Sequence, residues 1–421
     1  MIELRGFKHE THFVRSHQDG YILQAIRIVN PFLSQPNQSR QLKQPPILLH
    51  HGFQCSGSMW LVAANGALNL TDGRYREVTN NEGDSILEDG LMEDVQQGEA
   101  IGNSLAFVLA ARGYSVWLGN YRGNIYSTNH SRLDVEENEF WRFSIDEMIT
   151  YDTPALIEYI ERIENTSSIG YIGHSQGNFI MFGLLAERSE FARHIRPFIA
   201  LSPVVYTTDF DAILYYFKMI RYTFRRAFPR RAFTRLVQTL RVPQLCANPL
   251  LKWSICAAAY YLVTGSRSAQ IDFVSCKRLH IWELALNLFS LYTYTHTQNR
   301  LPIYFDNLFH GSSTGNAMHF WQMFDHGVPT HYDFENETAN MVAYGSSSPP
   351  PYNISKIDPV DAHIALIYTQ NDWFNRMVDI GYLKRDLRHV KLIADYAVPL
   401  EWNHMDLIWA TQVGHYVNRQ I

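Results

Sequence analysis

Short apolar runs that alternate with helix-like segments constrain this chain most, because a strand that is apolar on both sides must be covered on both faces. Candidate strands cover residues 11–15, 21–29, 46–50, 114–118, 169–172, 197–201, 363–369 and 390–394. From the third onward they are mostly short continuous apolar runs, separated by helix-like segments at 100–111, 144–163 and 176–187. The pattern predicts an α/β fold with a mostly parallel, eight-stranded sheet flanked by helices. Gln18-Asp19-Gly20 joins the first two strands with a hairpin signal, so the sheet is expected to open with an antiparallel pair.

Roughly 160 residues separate the sixth and seventh strands, too many for a simple connection, and they are expected to form an inserted helical cap. The expected organisation is a core over 1–203, a cap over 204–330 and a second part of the core over 331–421. An acidic surface insertion at about 66–99 interrupts the first part. Residues 72–99 carry nine acidic and two basic side chains, whereas 212–271 carry ten basic and no acidic ones. Lys218, Arg221 and Arg225 fall at helical spacing among aromatics. That stretch reads as a solvated helix face, as a basic amphipathic surface for anionic lipid, or as a calmodulin-type target helix.

The pentad Gly173-His174-Ser175-Gln176-Gly177 follows the fifth strand and precedes an apolar helix-like run. A serine in such a strand–turn–helix context forms a nucleophile elbow: the turn is so tight that Gly173 and Gly177 must lack side chains. A second match, Gly311-Ser312-Ser313-Thr314-Gly315, has no clean strand before it and reads as a loop.

A serine nucleophile needs an acid, a base and oxyanion donors. Asp372 comes just after the seventh strand, at a carboxyl end where active-site residues of open α/β sheets collect, and His404 lies after the eighth. Asp361 and Asp379 read as surface or capping residues, and His389 and His415 precede a strand or lie within a final helix-like run at 407–417. The order Ser175, Asp372, His404 is that of α/β-hydrolases. The oxyanion donors would be the backbone N–H of Gln176 and that of Phe53, in the loop after the third strand. His50 and His51 precede that loop without a carboxylate or cysteine at ligand spacing; they read as loop-holding side chains, and no metal or cofactor is expected.

Composition narrows the class. A net charge of −5 argues against a broadly basic nucleic-acid binder, and no run of about 18 apolar residues is present to cross a bilayer. Sequons begin at Asn37, Asn69, Asn129, Asn165, Asn336 and Asn353, which points to the secretory pathway although residues 1–6 hold no signal-peptide run. Cys246, Cys256 and Cys276 lie close enough to allow one bridge, and free buried thiols, Cys55 included, are the other reading.

Several stretches together resemble the acid lipases of animals, the group that contains gastric lipase and lysosomal acid lipase. They are Asp19-Gly20-Tyr21-Ile22-Leu23, Leu49-His50-His51-Gly52-Phe53, Gly119-Asn120-Tyr121-Arg122-Gly123-Asn124, Phe140-Trp141-Arg142-Phe143-Ser144, the Ser175 pentad and Trp402-Asn403-His404-Met405-Asp406. The resemblance implies Ser175 as nucleophile, Asp372 and His404 as its partners, and the Phe53 and Gln176 amides as oxyanion donors. It further implies a movable lid over a deep acyl pocket, long-chain acyl esters such as triacylglycerols or steryl esters as substrates at an oil–water or membrane interface, and a secreted or lysosomal location. The acidic insertion is longer than the family's usual connection, and the cap cysteines do not match its usual pairing. Alternatives are an esterase or thioesterase for small soluble acyl groups, and a silent hydrolase fold used for binding.

Overall fold

The computed structural model describes residues 1–16, 18–33, 44–78, 86–89, 101–209, 223, 225–227 and 301–421. The main sheet is built from β1 (Lys8–Arg15), β2 (Tyr21–Val29), β3 (Pro46–His50), β7 (Ser115–Gly119), β8 (Asn129–His130), β9 (Ile169–His174), β10 (Ile195–Leu201), β11 (Ile364–Thr369) and β12 (Ala394–Val398). Three further strands, β4 (Asn65–Leu68), β5 (Tyr75–Val78) and β6 (Ile86–Asp89), form a separate antiparallel sheet.

Strand order in the main sheet is β1-β2-β7-β3-β9-β10-β11-β12, with β8 attached to β2. Pairing is antiparallel between β1 and β2 and between β2 and β7, and parallel from β7 through β12. This is the α/β-hydrolase architecture, with its expected opening hairpin. From β3 the chain goes first to β7 on one side and then to β9 on the other, so the order reverses at β3. Such a reversal leaves a crevice at the carboxyl ends of the strands.

The central strands β3, β9 and β11 are buried at every position, as their unbroken apolar runs require. One core cluster joins Trp117, Tyr171, Phe179, Phe182 and Phe198, and a second joins Trp60, Phe107, Trp402 and Trp409. Each large side chain removed from water stabilises the fold by about 1.5–3 kcal/mol. Trp409 stacks on Tyr304 of the helix Leu301–Leu308 at 4.5 Å and donates its indole N–H to the Met59 carbonyl.

Five expectations need correction. Among the described residues the main sheet has nine strands rather than eight, because the two-residue β8 pairs with β2. The eighth strand is Ala394–Val398 rather than 390–394, because Val390 closes the turn after the helix Met377–Asp386 and a half-buried, more polar edge segment does the pairing. The run at 407–417 is two short helices, Asp406–Trp409 and Val413–Tyr416, not one. The acidic stretch is not simply a solvated insertion in its described part. Tyr75 packs between Phe7 and Phe107, and the buried Glu77 carboxylate accepts from the Asn103 and Ser104 amides just before the helix Leu105–Ala111. Asp379 is buried and accepts from the Thr208 amide and hydroxyl, so it tethers the chain leaving β10 rather than lying at the surface. Of the basic stretch 212–271, all but residues 223 and 225–227 lies outside the described residues, as do Cys246, Cys256 and Cys276.

Candidate active site

Ser175 joins β9 to the helix Gln176–Glu187 with φ 55° and ψ −118°, a backbone region that non-glycine residues avoid. Close packing enforces the turn. A side chain on Gly173 would collide with Asn178 Oδ1, and one on Gly177 would lie 3.0 Å from the His50 carbonyl. The Ser175 amide donates to the Leu201 carbonyl at 3.1 Å, and Asn178 Nδ2 donates to the same oxygen at 2.7 Å. These bonds pin the turn to the carboxyl end of β10.

Asp372 and His404 meet although 32 residues separate them. His404 Nδ1 lies 2.7 Å from Asp372 Oδ2, and both residues are buried, at 5% and 1% exposure. The other carboxylate oxygen accepts from the Phe374 amide at 2.9 Å, and the Phe374 ring packs 5.1 Å from the imidazole. With the carboxylate accepting at Nδ1, His404 Nε2 is the ring nitrogen left for proton transfer. Thr369, at the end of β11, donates its hydroxyl to the Trp402 carbonyl at 2.8 Å, which ties the His404 loop to the strand that presents Asp372.

Several residues given no separate role by sequence reasoning hold this loop. His174 Nε2 donates to the His404 carbonyl at 3.0 Å, and the two rings lie 4.7 Å apart. Burial, then the neighbouring His404, holds the His174 pKa well below its ordinary 6.5, so this ring is a neutral donor. The Asn403 and Asp406 side chains cap the loop, accepting from Met405, Asp406 and Asn403 amides. Both residues stood beside His404 in the sequence, but no periodicity marks a loop-capping pair.

Phe53 sits in the loop after β3, its ring 5.3 Å from Phe320. Gln176 is the first residue of its helix, where a backbone N–H has no intrahelical acceptor. Among the described residues, neither the Phe53 nor the Gln176 N–H donates to a protein group. His51 Nδ1 donates to the Gly52 carbonyl at 2.8 Å while Nε2 accepts from Asn124 Nδ2 at 3.2 Å; burial keeps this histidine neutral, with its pKa lowered to about 4. His50 Nδ1 bonds the Tyr171 hydroxyl at 3.0 Å. The paired histidines therefore hold the loop and its neighbouring strands.

Asn129, Asn165, Asn336 and Asn353 are exposed and Asn69 is half-buried, whereas Asn37 lies outside the described residues. Cys55 is a buried free thiol whose pKa is pushed up to about 12 by burial, so it is no nucleophile. Among the described residues no helix is long and apolar enough to cross a membrane.

Comparison with known proteins agrees with this architecture. Residues 1–64 match the family described as a partial alpha/beta-hydrolase lipase region, and residues 97–245 match the alpha/beta hydrolase fold. Among curated relatives, the Caenorhabditis elegans lipase lipl-1 is 28% identical over 93% of this chain and 82% of its own length. Human gastric triacylglycerol lipase is 27% identical, over 100% of this chain and 88% of its own. Human lysosomal acid lipase/cholesteryl ester hydrolase is 28% identical, over 97% and 85%. With the elbow, the strand order and the fold match together, the chain is an α/β-hydrolase, and it is similar along nearly its whole length to the gastric and lysosomal acid lipases.

Proposed function

We propose that this chain is a serine ester hydrolase of lipase type that cleaves long-chain acyl esters, such as triacylglycerols or steryl esters, through an acyl-enzyme. The observation that carries the reading is the buried Asp372–His404 hydrogen bond on a loop anchored to His174, next to a serine held at φ 55°. The lipase names of the relatives support the substrate class.

In this reading His404 Nε2 takes the Ser175 proton as Oγ attacks the ester carbonyl, and Asp372 holds the imidazolium that forms. The Phe53 and Gln176 amides receive the oxyanion. His404 returns the proton to the departing alcohol, and water, activated by the same imidazole, releases the fatty acid. Residues 204–330 would supply the cap over the acyl chain, and the basic stretch within them an attachment to anionic lipid. The exposed sequons support passage through the secretory pathway to the exterior or the lysosome.

The test is hydrolysis of an emulsified long-chain ester, with a fluorophosphonate probe reporting on Ser175. Labelling should require Ser175, and activity should rise when substrate passes from monomer to emulsion. Hydrolysis by Ser175→Ala at the parent rate would end the proposal, and activity confined to soluble short esters would replace lipase with small-ester hydrolase.

A further inference from the structure

The second pentad takes no part in that chemistry, yet together with its flanking residues His310 and Asn316 it contacts both segments that carry the proposed oxyanion donors. On one side the His310 and Gly311 amides donate to the Gln54 carbonyl at 2.6 and 3.3 Å. Gln54 follows Phe53 directly and holds φ 62°, a backbone conformation that needs outside support in a residue other than glycine. On the other side Asn316 Oδ1 accepts from Gln176 Nε2 at 3.1 Å.

Asn316 is itself fixed on two sides. Its Nδ2 donates to Ser312 Oγ at 2.6 Å, and its backbone N–H donates to Ser313 Oγ at 2.9 Å. Ser313 Oγ in turn donates to the Phe143 carbonyl at 2.6 Å. Gln54, Gln176, Ser312, Ser313 and Asn316 are all buried. Apart from a 3.5 Å contact with the Met148 sulfur, Asn316 is the sole hydrogen-bond partner of the Gln176 side chain among the described residues. The cavity that Gln54, Gln176 and Asn316 line measures about 10 Å³, room for one water and too small for an acyl chain or alcohol. These groups therefore act on the placement of the donors and not on substrate.

We infer that residues 310–316 are a brace that sets the spacing of the Phe53 and Gln176 amides, with Asn316 a positioning residue of the oxyanion hole. The inference rests on the serine-hydrolase reading above. Oxyanion donors help only when they are already aimed at the charge that develops, so a loosened brace lowers turnover rather than substrate binding.

The experiment measures Asn316→Ala and Asn316→Thr, the second retaining a hydroxyl near Ser312 but too short to reach Gln176. Rates are counted per site titrated with fluorophosphonate. Both variants should lose about tenfold in kcat, less than removal of a donor itself, with KM within about twofold of the parent. Affinity for a boronic acid, which forms a tetrahedral adduct on Ser175, should fall by the same factor as kcat/KM. A parent-like kcat, a loss carried wholly by KM, or unchanged boronate affinity overturns the brace. If neither variant folds, Ser312→Ala carries the test with an expected fall of about threefold in kcat and boronate affinity, and parent-like values there overturn it. Failure of the parent to label at Ser175 would instead remove the underlying reading.

Discussion

The pentads that begin at Gly173 and Gly311 space their glycines and serine identically, but Ser175 sits at φ 55°, ψ −118° and Ser313 at φ −71°, ψ 157°. Both serines precede a helix. In extended backbone Ser313 turns its hydroxyl onto its own helix, accepting from the Asn316 amide as an N-cap and donating to Phe143. Ser175, rotated into the left-handed region, makes no such cap bond. The difference comes from what precedes each one: a buried parallel strand forces the first chain to reverse sharply, while residue 311 follows the helix Leu301–Leu308 and needs no strained turn. The same glycine–serine–glycine spacing thus gives a nucleophile candidate in one place and a helix start in the other.

Substituting the serines should separate them most. Ser175→Ala is expected to lose roughly four to six orders of magnitude in kcat, whereas Ser313→Ala keeps fluorophosphonate labelling and loses about 1–2 kcal/mol of stability, read by thermal unfolding. Asp372→Asn should lower kcat by roughly 10⁴ with little change in stability, and a near-parent rate would remove Asp372 from the site.

The glycines sharpen the contrast at a smaller scale. A methyl at Gly177 would press on the His50 carbonyl, and one at Gly315 would collide with the Phe143 carbonyl. Each alanine variant should cost about 1–3 kcal/mol. Gly177→Ala should also slow labelling of Ser175, because that methyl displaces the elbow; a labelling rate equal to that of the parent would contradict the assignment.

The smallest effect concerns pH, on the helix Thr314–His326 that the second pentad starts. Asp146 lies 3.8 Å from His319 of that helix and 3.5 Å from His331, and accepts from the Tyr352 hydroxyl at 2.6 Å. Burial alone would raise the Asp146 pKa, but the histidines and Tyr352 pull it down from 3.8 to about 2. Burial opposes the charge on His331, yet Asp146 and Glu187 outweigh it and raise its pKa above 6.5. The raised histidine contributes stability that is complete below pH 6.5 and lost as pH rises through its folded-state value. The lowered carboxylate contributes above pH 3.8 and loses its effect as pH falls toward 2. The melting temperature of the parent should therefore exceed that of His331→Gln most between about pH 4 and 6 and converge with it above neutrality; a constant gap would contradict the pairing.

Much of the fold was legible because periodicity reports burial. The boundaries 21–29 and 46–50 coincide with β2 and β3, since those runs alternate or stay apolar over their whole length. The eighth strand was displaced because an edge strand needs little apolar character, and Val390 signalled burial without pairing. Glu77 and Asp379 looked like surface acids because composition carries no sign of a buried backbone donor awaiting them. Asn316 and His174 were invisible for a related reason: a polar side chain that braces a loop has no periodic signature, and its partner lies 140 or 230 residues away.

Sequence by itself determined the sheet with its helical layers and the tight turn at Ser175, and it singled out Asp372 and His404 as candidate acid and base, since these follow from local apolar pattern, from glycines that a tight turn demands and from position after a strand. Only the tertiary structure decided that Asp372 and His404 share a hydrogen bond, that the acidic stretch is pinned through Tyr75 and Glu77, and that residues 310–316 bridge Gln54 and Gln176. Those are contacts between segments far apart in the chain. Their partners are chosen by which strand ends the parallel sheet brings together, and no local pattern records that choice.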